Sequence, residues 1–286
     1  MPARTFHAGG GPPVGVFLAL PDAVTARTRL IVVMHGVLRN AEEYLADWRP
    51  WAAARGHVVV CPCFEHGHWP PGRSYNLGGV MTRGRGSGTP RPAAAWGFTV
   101  LERLAATLRS ELGLADEAFD LWGHSAGAQF AHRFALFRPA APVRRIVAAG
   151  AGWYTTPDLE LDFPYGLRHE QLGFNRLALE RWTRRDIVLL RGERDVRRDE
   201  HLRRDRGAEA QGPTRWHRAA HMIQRARASD PATRWRLLDV AGAGHDHRAM
   251  AHATQRLWDG AAIPSDEGFL MRCSPSSHAA RTASSA

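Results

Sequence analysis

The stretch Phe119-Asp120-Leu121-Trp122-Gly123-His124-Ser125-Ala126-Gly127 reads as a short strand that enters a sharp turn and leaves it as a helix. Phe119 to Trp122 is apolar enough for a buried strand, and Ala126 to Phe137 holds the small and apolar residues of a packed helix. Gly123 and Gly127 lack side chains at the two places where strand and helix must approach closely. Such a turn holds Ser125 in a strained conformation and projects its hydroxyl outward. The helix beginning at Ala126 adds a positive dipole end, and its Ala126 N–H is a first donor for a developing oxyanion. Gly and Ser are common, so G-x-S-x-G alone is a weak signal; the strand before it and the helix after it give it weight.

Outward from this unit, short β-type runs alternate with amphipathic helical stretches, which predicts an α/β fold with a mainly parallel sheet and helices on both faces. Val14 to Leu20 reads as an early strand, and Leu30 to Met34 as a strand buried on both sides. A helix is expected over Ala41 to Arg55, closed by Gly56, then a strand over His57 to Cys61. A long loop from Phe64 to Pro92 leads to a helix over Ala93 to Leu112. Further strands are expected at Arg145 to Ala149, Ile187 to Leu190 and Trp235 to Val240, each followed by a Gly-containing loop. The 286 residues are read as one domain over 1–264 with two insertions. The first, about 151–186, is expected to form a small cap or pocket wall, and the Arg-rich second, about 196–234, a surface insertion. Residues 265–286 are Ser/Ala-rich and read as a disordered tail.

The net charge is +10, yet all 38 basic residues are Arg, scattered among Asp and Glu as in Arg197-Arg198-Asp199-Glu200. That pattern fits a salt-bridged surface and argues against a nucleic-acid partner. Cys61, Cys63 and Cys273 cannot all pair within one molecule, so free thiols in a reducing compartment are expected. No metal is expected either, since no second Cys or His pair stands at zinc-site spacing. Met1 to Pro13 carries no basic segment leading into an apolar one, and no apolar run is long enough to span a bilayer. The expectation is a soluble cytoplasmic protein with no membrane partner.

A serine hydroxyl needs a base to become a nucleophile. Among 15 histidines, His245 stands apart, in the Gly242-Ala243-Gly244-His245-Asp246 loop after the last strong strand. His247 and His252 are rivals, but they fall in or at the start of the following helix. The carboxylate that orients the base is sought after the penultimate strand, where Arg191-Gly192-Glu193-Arg194-Asp195 supplies Asp195, with Glu193 and Asp199 as competitors. The order Ser125, Asp195, His245 is one used by strand-turn-helix nucleophiles of this kind. The Val37 N–H, after His35-Gly36, is the expected second oxyanion donor, and His35 itself a structural hydrogen-bonding residue. Trp153 and Tyr154, with Trp69 and Tyr75 of the long early loop, are substrate-pocket candidates.

With these loops assembled, the chain from about Val14 to Trp258 resembles the α/β-hydrolase superfamily. His35-Gly36 followed by Arg39-Asn40-Ala41, and the absence of a large helical lid, are similar to polyhydroxybutyrate-depolymerase-like and feruloyl-esterase-like serine esterases. The resemblance implies cleavage of a small or oligomeric ester by two-step acyl transfer, without metal or organic cofactor. A peptidase or amidase using the same triad, and a non-catalytic binding protein on the same fold, are the alternatives.

Overall fold

The computed structural model describes residues 4–70 and 75–263. Eight strands form one sheet: β1 (Arg4–Phe6), β2 (Val14–Ala19), β3 (Leu30–Met34), β4 (Val58–Cys63), β5 (Phe119–His124), β6 (Val143–Ala149), β7 (Ile187–Gly192) and β8 (Arg236–Val240). Their spatial order is β1-β2-β4-β3-β5-β6-β7-β8; β2 pairs antiparallel with both β1 and β4, and every other pair is parallel. The helices are α1 (Ala41–Arg55), α2 (Gly97–Glu111), α3 (Ala126–Phe137), α4 (Arg176–Thr183), α5 (Arg206–Glu209), α6 (Arg215–Ser229) and α7 (His247–Trp258).

Side chains along a strand point alternately to opposite faces, and β3, at the middle of the sheet, is apolar at every position. In β3, Leu30, Val32 and Met34 pack on one face with Phe98 of α2, Phe130 of α3 and Met222 of α6. Ile31 and Val33 pack on the other with Leu45 of α1 and Met250 of α7. The sheet is thus covered on both sides, as the continuous apolar runs predicted.

From β3 the chain crosses to β4 on one side and later returns as β5 on the other. That reversal places the loops after β3 and β5 side by side at the carboxyl edge of the sheet, where α/β proteins bind ligands.

Several boundaries differ from expectation. The helix expected from Ala93 starts as a 3₁₀ turn at Ala93–Ala95 and becomes α-helical at Gly97. β1 was not anticipated, because three largely exposed residues carry no alternation to read. Cys61 and Cys63 are buried free thiols within β4, and Cys273 and the tail 265–286 lie outside the described residues.

The larger correction concerns 196–234, expected as a surface insertion. Within it α6 packs against β7 and β8, and Ala219, Met222, Ile223 and Ala226 are core residues. Arg215 and Arg218 are buried as well, held by Asp199 and by the Gly152 carbonyl. The segment is the crossover connecting two parallel strands, not an ornament on them. No helix among the described residues is long and apolar enough to cross a membrane.

Candidate active site

Ser125 alone links β5 to α3, with φ 56° and ψ −113°. A positive φ at a residue with a side chain costs on the order of 1–3 kcal/mol and persists only where neighbours enforce it. Here the Ser125 N–H donates to the Ala149 carbonyl at 2.9 Å, and the Gln129 N–H donates to the Ser125 carbonyl at 3.1 Å. A Cβ on Gly123 would lie 2.2 Å from the Gly127 carbonyl oxygen, and one on Gly127 would lie 2.1 Å from that of Met34. Neither gap admits a carbon, so the two glycines are what let α3 close onto β5 and β3.

The serine hydroxyl oxygen lies 3.1 Å from His245 Nε2, and His245 Nδ1 lies 2.8 Å from Asp195 Oδ2. An ionised carboxylate only accepts, so Asp195 fixes the proton on Nδ1 and leaves the Nε2 lone pair facing the hydroxyl. The Asp195 side chain is 1% exposed, which shields the contact from water. Its other oxygen, Oδ1, has an Arg215 guanidinium nitrogen 3.5 Å away.

Backbone contacts tie the acid and base loops together. The Arg194 N–H donates to the Ala243 carbonyl at 2.8 Å. Glu193, the competing acid, accepts from the Gly242 N–H at 2.9 Å, so its carboxylate braces the histidine loop. Asp199, the other competitor, is gripped by Arg215, which holds its carboxyl well below the usual carboxylate range. Among the rival histidines, His247 pairs with Asp47 at 2.6 Å and stacks on Tyr44, and His252 is exposed on α7.

Val37 and Ala126 both line the cavity at Ser125, and their backbone N–H groups have no acceptor among the described residues. His35 holds the Val37 loop in place: its Nδ1 donates to the Gly36 carbonyl at 2.9 Å, and its Nε2 accepts from the Phe64 N–H at 3.1 Å. Burial pushes its pKa down to about 3, so it serves as a neutral spacer. His124, next to Ser125 in the chain, is likewise held neutral by burial and then by repulsion from His245. It shares a hydrogen bond with the Tyr44 hydroxyl at 2.9 Å.

Two cavities meet at Ser125. One, of about 160 Å³, contains Ala126, Gln129, Trp153 and Tyr75 in its wall; the other, of about 220 Å³, is bounded by His245, His247 and Leu38. Tyr75 and Trp153 are part of the wall of the first cavity. Trp69 and Tyr154 border neither cavity. Trp69 packs on Phe64 and donates to the Pro13 carbonyl, while Tyr154 is buried against His132 with its backbone paired to Gln211. Both are core aromatics, a distinction that no local sequence pattern carries. Sequence reasoning missed Arg39, Asn76, Gln129, His201, Arg203 and Arg215, all in the wall of the first cavity. The expected cap, 151–186, contributes Gly152 and Trp153 to that wall, while its Leu167, Leu179 and Trp182 are core. Among the described residues no group of three His, Cys, Asp or Glu side chains converges as metal ligands.

No known family profile and no curated protein matches the sequence. Solved structures do. Poly(aspartic acid) hydrolase-1 from Sphingomonas sp. KT-1 is 31% identical, with a TM-score of 0.84, over 89% of this chain and 97% of that one. LpqC, a poly(3-hydroxybutyrate) depolymerase from Bordetella parapertussis, is 33% identical, with a TM-score of 0.84, over 94% and 93%. An acetyl xylan esterase from Aspergillus awamori shares the fold at 11% identity and a TM-score of 0.57, over 92% and 100%.

Proposed function

Because the chain belongs to the α/β-hydrolase superfamily, as a carboxylic ester hydrolase of the poly(3-hydroxybutyrate)-depolymerase-like branch, we propose that it works through an acyl-enzyme on Ser125. The carrying observation is the unbroken hydrogen-bond chain from Ser125 Oγ through His245 to Asp195, at 3.1 and 2.8 Å. The serine oxygen attacks the ester carbonyl while its proton passes to His245 Nε2. The resulting imidazolium is stabilised by Asp195, and the oxyanion is met by the Val37 and Ala126 N–H groups, each such donor contributing about 2.7–4 kcal/mol. His245 then protonates the departing alcohol, and water repeats the sequence in reverse to free the acid.

The test is hydrolysis of a panel of p-nitrophenyl esters by the wild type beside Ser125→Ala and His245→Ala. Both variants should lose activity by roughly 10³-fold or more, and a fluorophosphonate probe should label the wild type at Ser125 alone. Full esterase activity in Ser125→Ala would refute the mechanism.

A second reading, amide cleavage by the same triad, is favoured by one observation: a relative 31% identical is a hydrolase of poly(aspartic acid), a polymer joined by amide bonds. Aminoacyl anilides assayed beside the esters separate the two.

A further inference from the structure

The smaller cavity at Ser125 has an unusual charge balance. Three arginines border it, Arg39, Arg203 and Arg215, and no carboxylate among the described residues does. Two of the three have counter-charges behind them. Arg203 Nε donates to Asp205 at 2.5 Å, and Arg215 holds Asp199 with bonds of 2.6 and 2.8 Å. Arg39 has no such partner among the described residues. Its guanidinium makes one hydrogen bond, from Nη2 to the Trp69 carbonyl at 3.0 Å, and its Nε and Nη1, both buried, meet no acceptor among the described residues. The residue is only 8% exposed, lies 4.1 Å over the Tyr75 ring, and has a φ of 62°.

Behind the same wall sits a second cation with no carboxylate partner among the described residues. Arg133 is fully buried, and its Nε and Nη1 donate to Thr155 Oγ1 and to the Asn76 and Gln129 carbonyls. Its guanidinium lies 4.0 Å over the Trp153 ring, while its Nη2 has no partner among the described residues. Burying a cation without a counter-charge is costly, and so is a positive φ at a side-chain-bearing residue. Both costs fall beside the nucleophile. Guanidinium groups stay protonated in proteins, so the cavity sits in a positive field that low-dielectric walls intensify. Neutral donors add to it: the Asn76 amide donates to Gln129 Oε1 at 2.8 Å, and Gln129 Nε2 would lie 3.1 Å from a Cβ on Gly152, across the cavity wall.

The two cavities also differ in what chemistry they adjoin. The smaller one includes the Ala126 end of the oxyanion site; the larger includes His245, which would protonate the leaving alcohol. Resting on the acyl-enzyme reading above, we propose that the smaller cavity is the acyl subsite and selects a short acyl group that ends in a carboxylate, with Arg39 as the selecting charge. The natural substrates are then esters of short dicarboxylic or otherwise anionic acids.

The experiment compares two ethyl esters by proton release in a pH-stat near pH 7: monoethyl succinate, and ethyl 4-methylpentanoate, in which an isopropyl group replaces the carboxylate. The wild type should favour the succinate in kcat/KM by about tenfold or more at low ionic strength, with the ratio falling as salt is added. In Arg39→Asn the ratio should drop toward one, whereas Arg39→Lys should keep part of it. Asn tolerates the positive φ at this position, and a ratio measured within one preparation does not depend on how much protein is folded. Equal or slower turnover of the succinate by a wild type that cleaves the neutral ester overturns the proposal and leaves the acyl-enzyme reading intact. An unchanged ratio in Arg39→Asn overturns the role given to Arg39. If neither ester is cleaved, the underlying reading fails and this one with it.

Discussion

Ser125 keeps its positive φ because three backbones crowd around it, and the crowding leaves no room at Gly127. A methyl there would have to enter within 2.1 Å of the Met34 carbonyl oxygen, which is rigid strand backbone and not a movable side-chain end. Gly127→Ala should therefore push α3 off β3, costing about 2–3 kcal/mol in urea-induced unfolding, in the range of overpacked cores. The same shift carries Ser125 away from His245, so esterase activity should fall much further than stability. At Asp195 the expected outcome is the opposite. Asp195→Asn keeps size and burial but can present an amide N–H to His245 Nδ1, which favours the tautomer with its proton on Nε2, facing Ser125. The kcat for ester hydrolysis should drop by roughly 10⁴-fold with a nearly unchanged unfolding midpoint. A near wild-type kcat in Asp195→Asn would remove this carboxylate from the proposed triad.

The proposed base depends on how α7 is seated, because His245 lies two residues ahead of its first residue. Asp47, in the middle of α1, accepts from His247 Nδ1 at 2.6 Å and from Arg248 Nε at 2.9 Å, while its backbone carbonyl accepts from Gln255. One 4%-exposed carboxylate thus fastens the first turn of α7 to α1. Asp47→Ala should cost about 2 kcal/mol: losing one partner of a buried pair is expensive, and the exposed Arg248 discounts the figure. Ester kinetics should show a lower kcat with little change in KM, since His245 loses its register while the cavity walls stay. The three residues of the proposed triad were legible in the sequence because each sits in a short glycine-bearing loop after a strand. The role of α6 was not. Its inward face includes Arg215 and Arg218, which read as solvent-facing until Asp199 and the Gly152 carbonyl are seen to neutralise or satisfy them. Arg39 was legible only as part of a resemblance, because what makes it unusual is the absence of a neighbour, and that is a property of the folded chain.

At the scale of the whole molecule, the reversal of strand order at β3 brings the Val37 and Ser125 loops together, and the buried layers around them are held partly by histidines that cannot charge. His35, His124 and His132 are fully enclosed, and burial drives the pKa of each far below the ordinary value, to about 3 for His35. His132 is fixed at both ring nitrogens, Nδ1 donating to the Ala128 carbonyl and Nε2 accepting from the Thr155 N–H. Above about pH 6.5, the unfolded-state value, these imidazoles are neutral in both states and add no pH dependence. As the pH falls below it the unfolded chain takes up protons that the folded chain refuses, so stability declines until the folded-state values are reached. Each site contributes up to about 1.4 kcal/mol per pH unit, on the order of 4 for the three together. Urea midpoints measured at pH 7, 6 and 5 should therefore fall steeply well before the carboxylates titrate. His132→Gln, whose amide can keep one of the two hydrogen bonds, should lower the midpoint at pH 7 and flatten its fall by about a third. A wild-type midpoint that stays level from pH 7 to 5 would mean that these histidines accept protons in the folded state, and that the packing around Ser125 is looser than neutral, enclosed rings require.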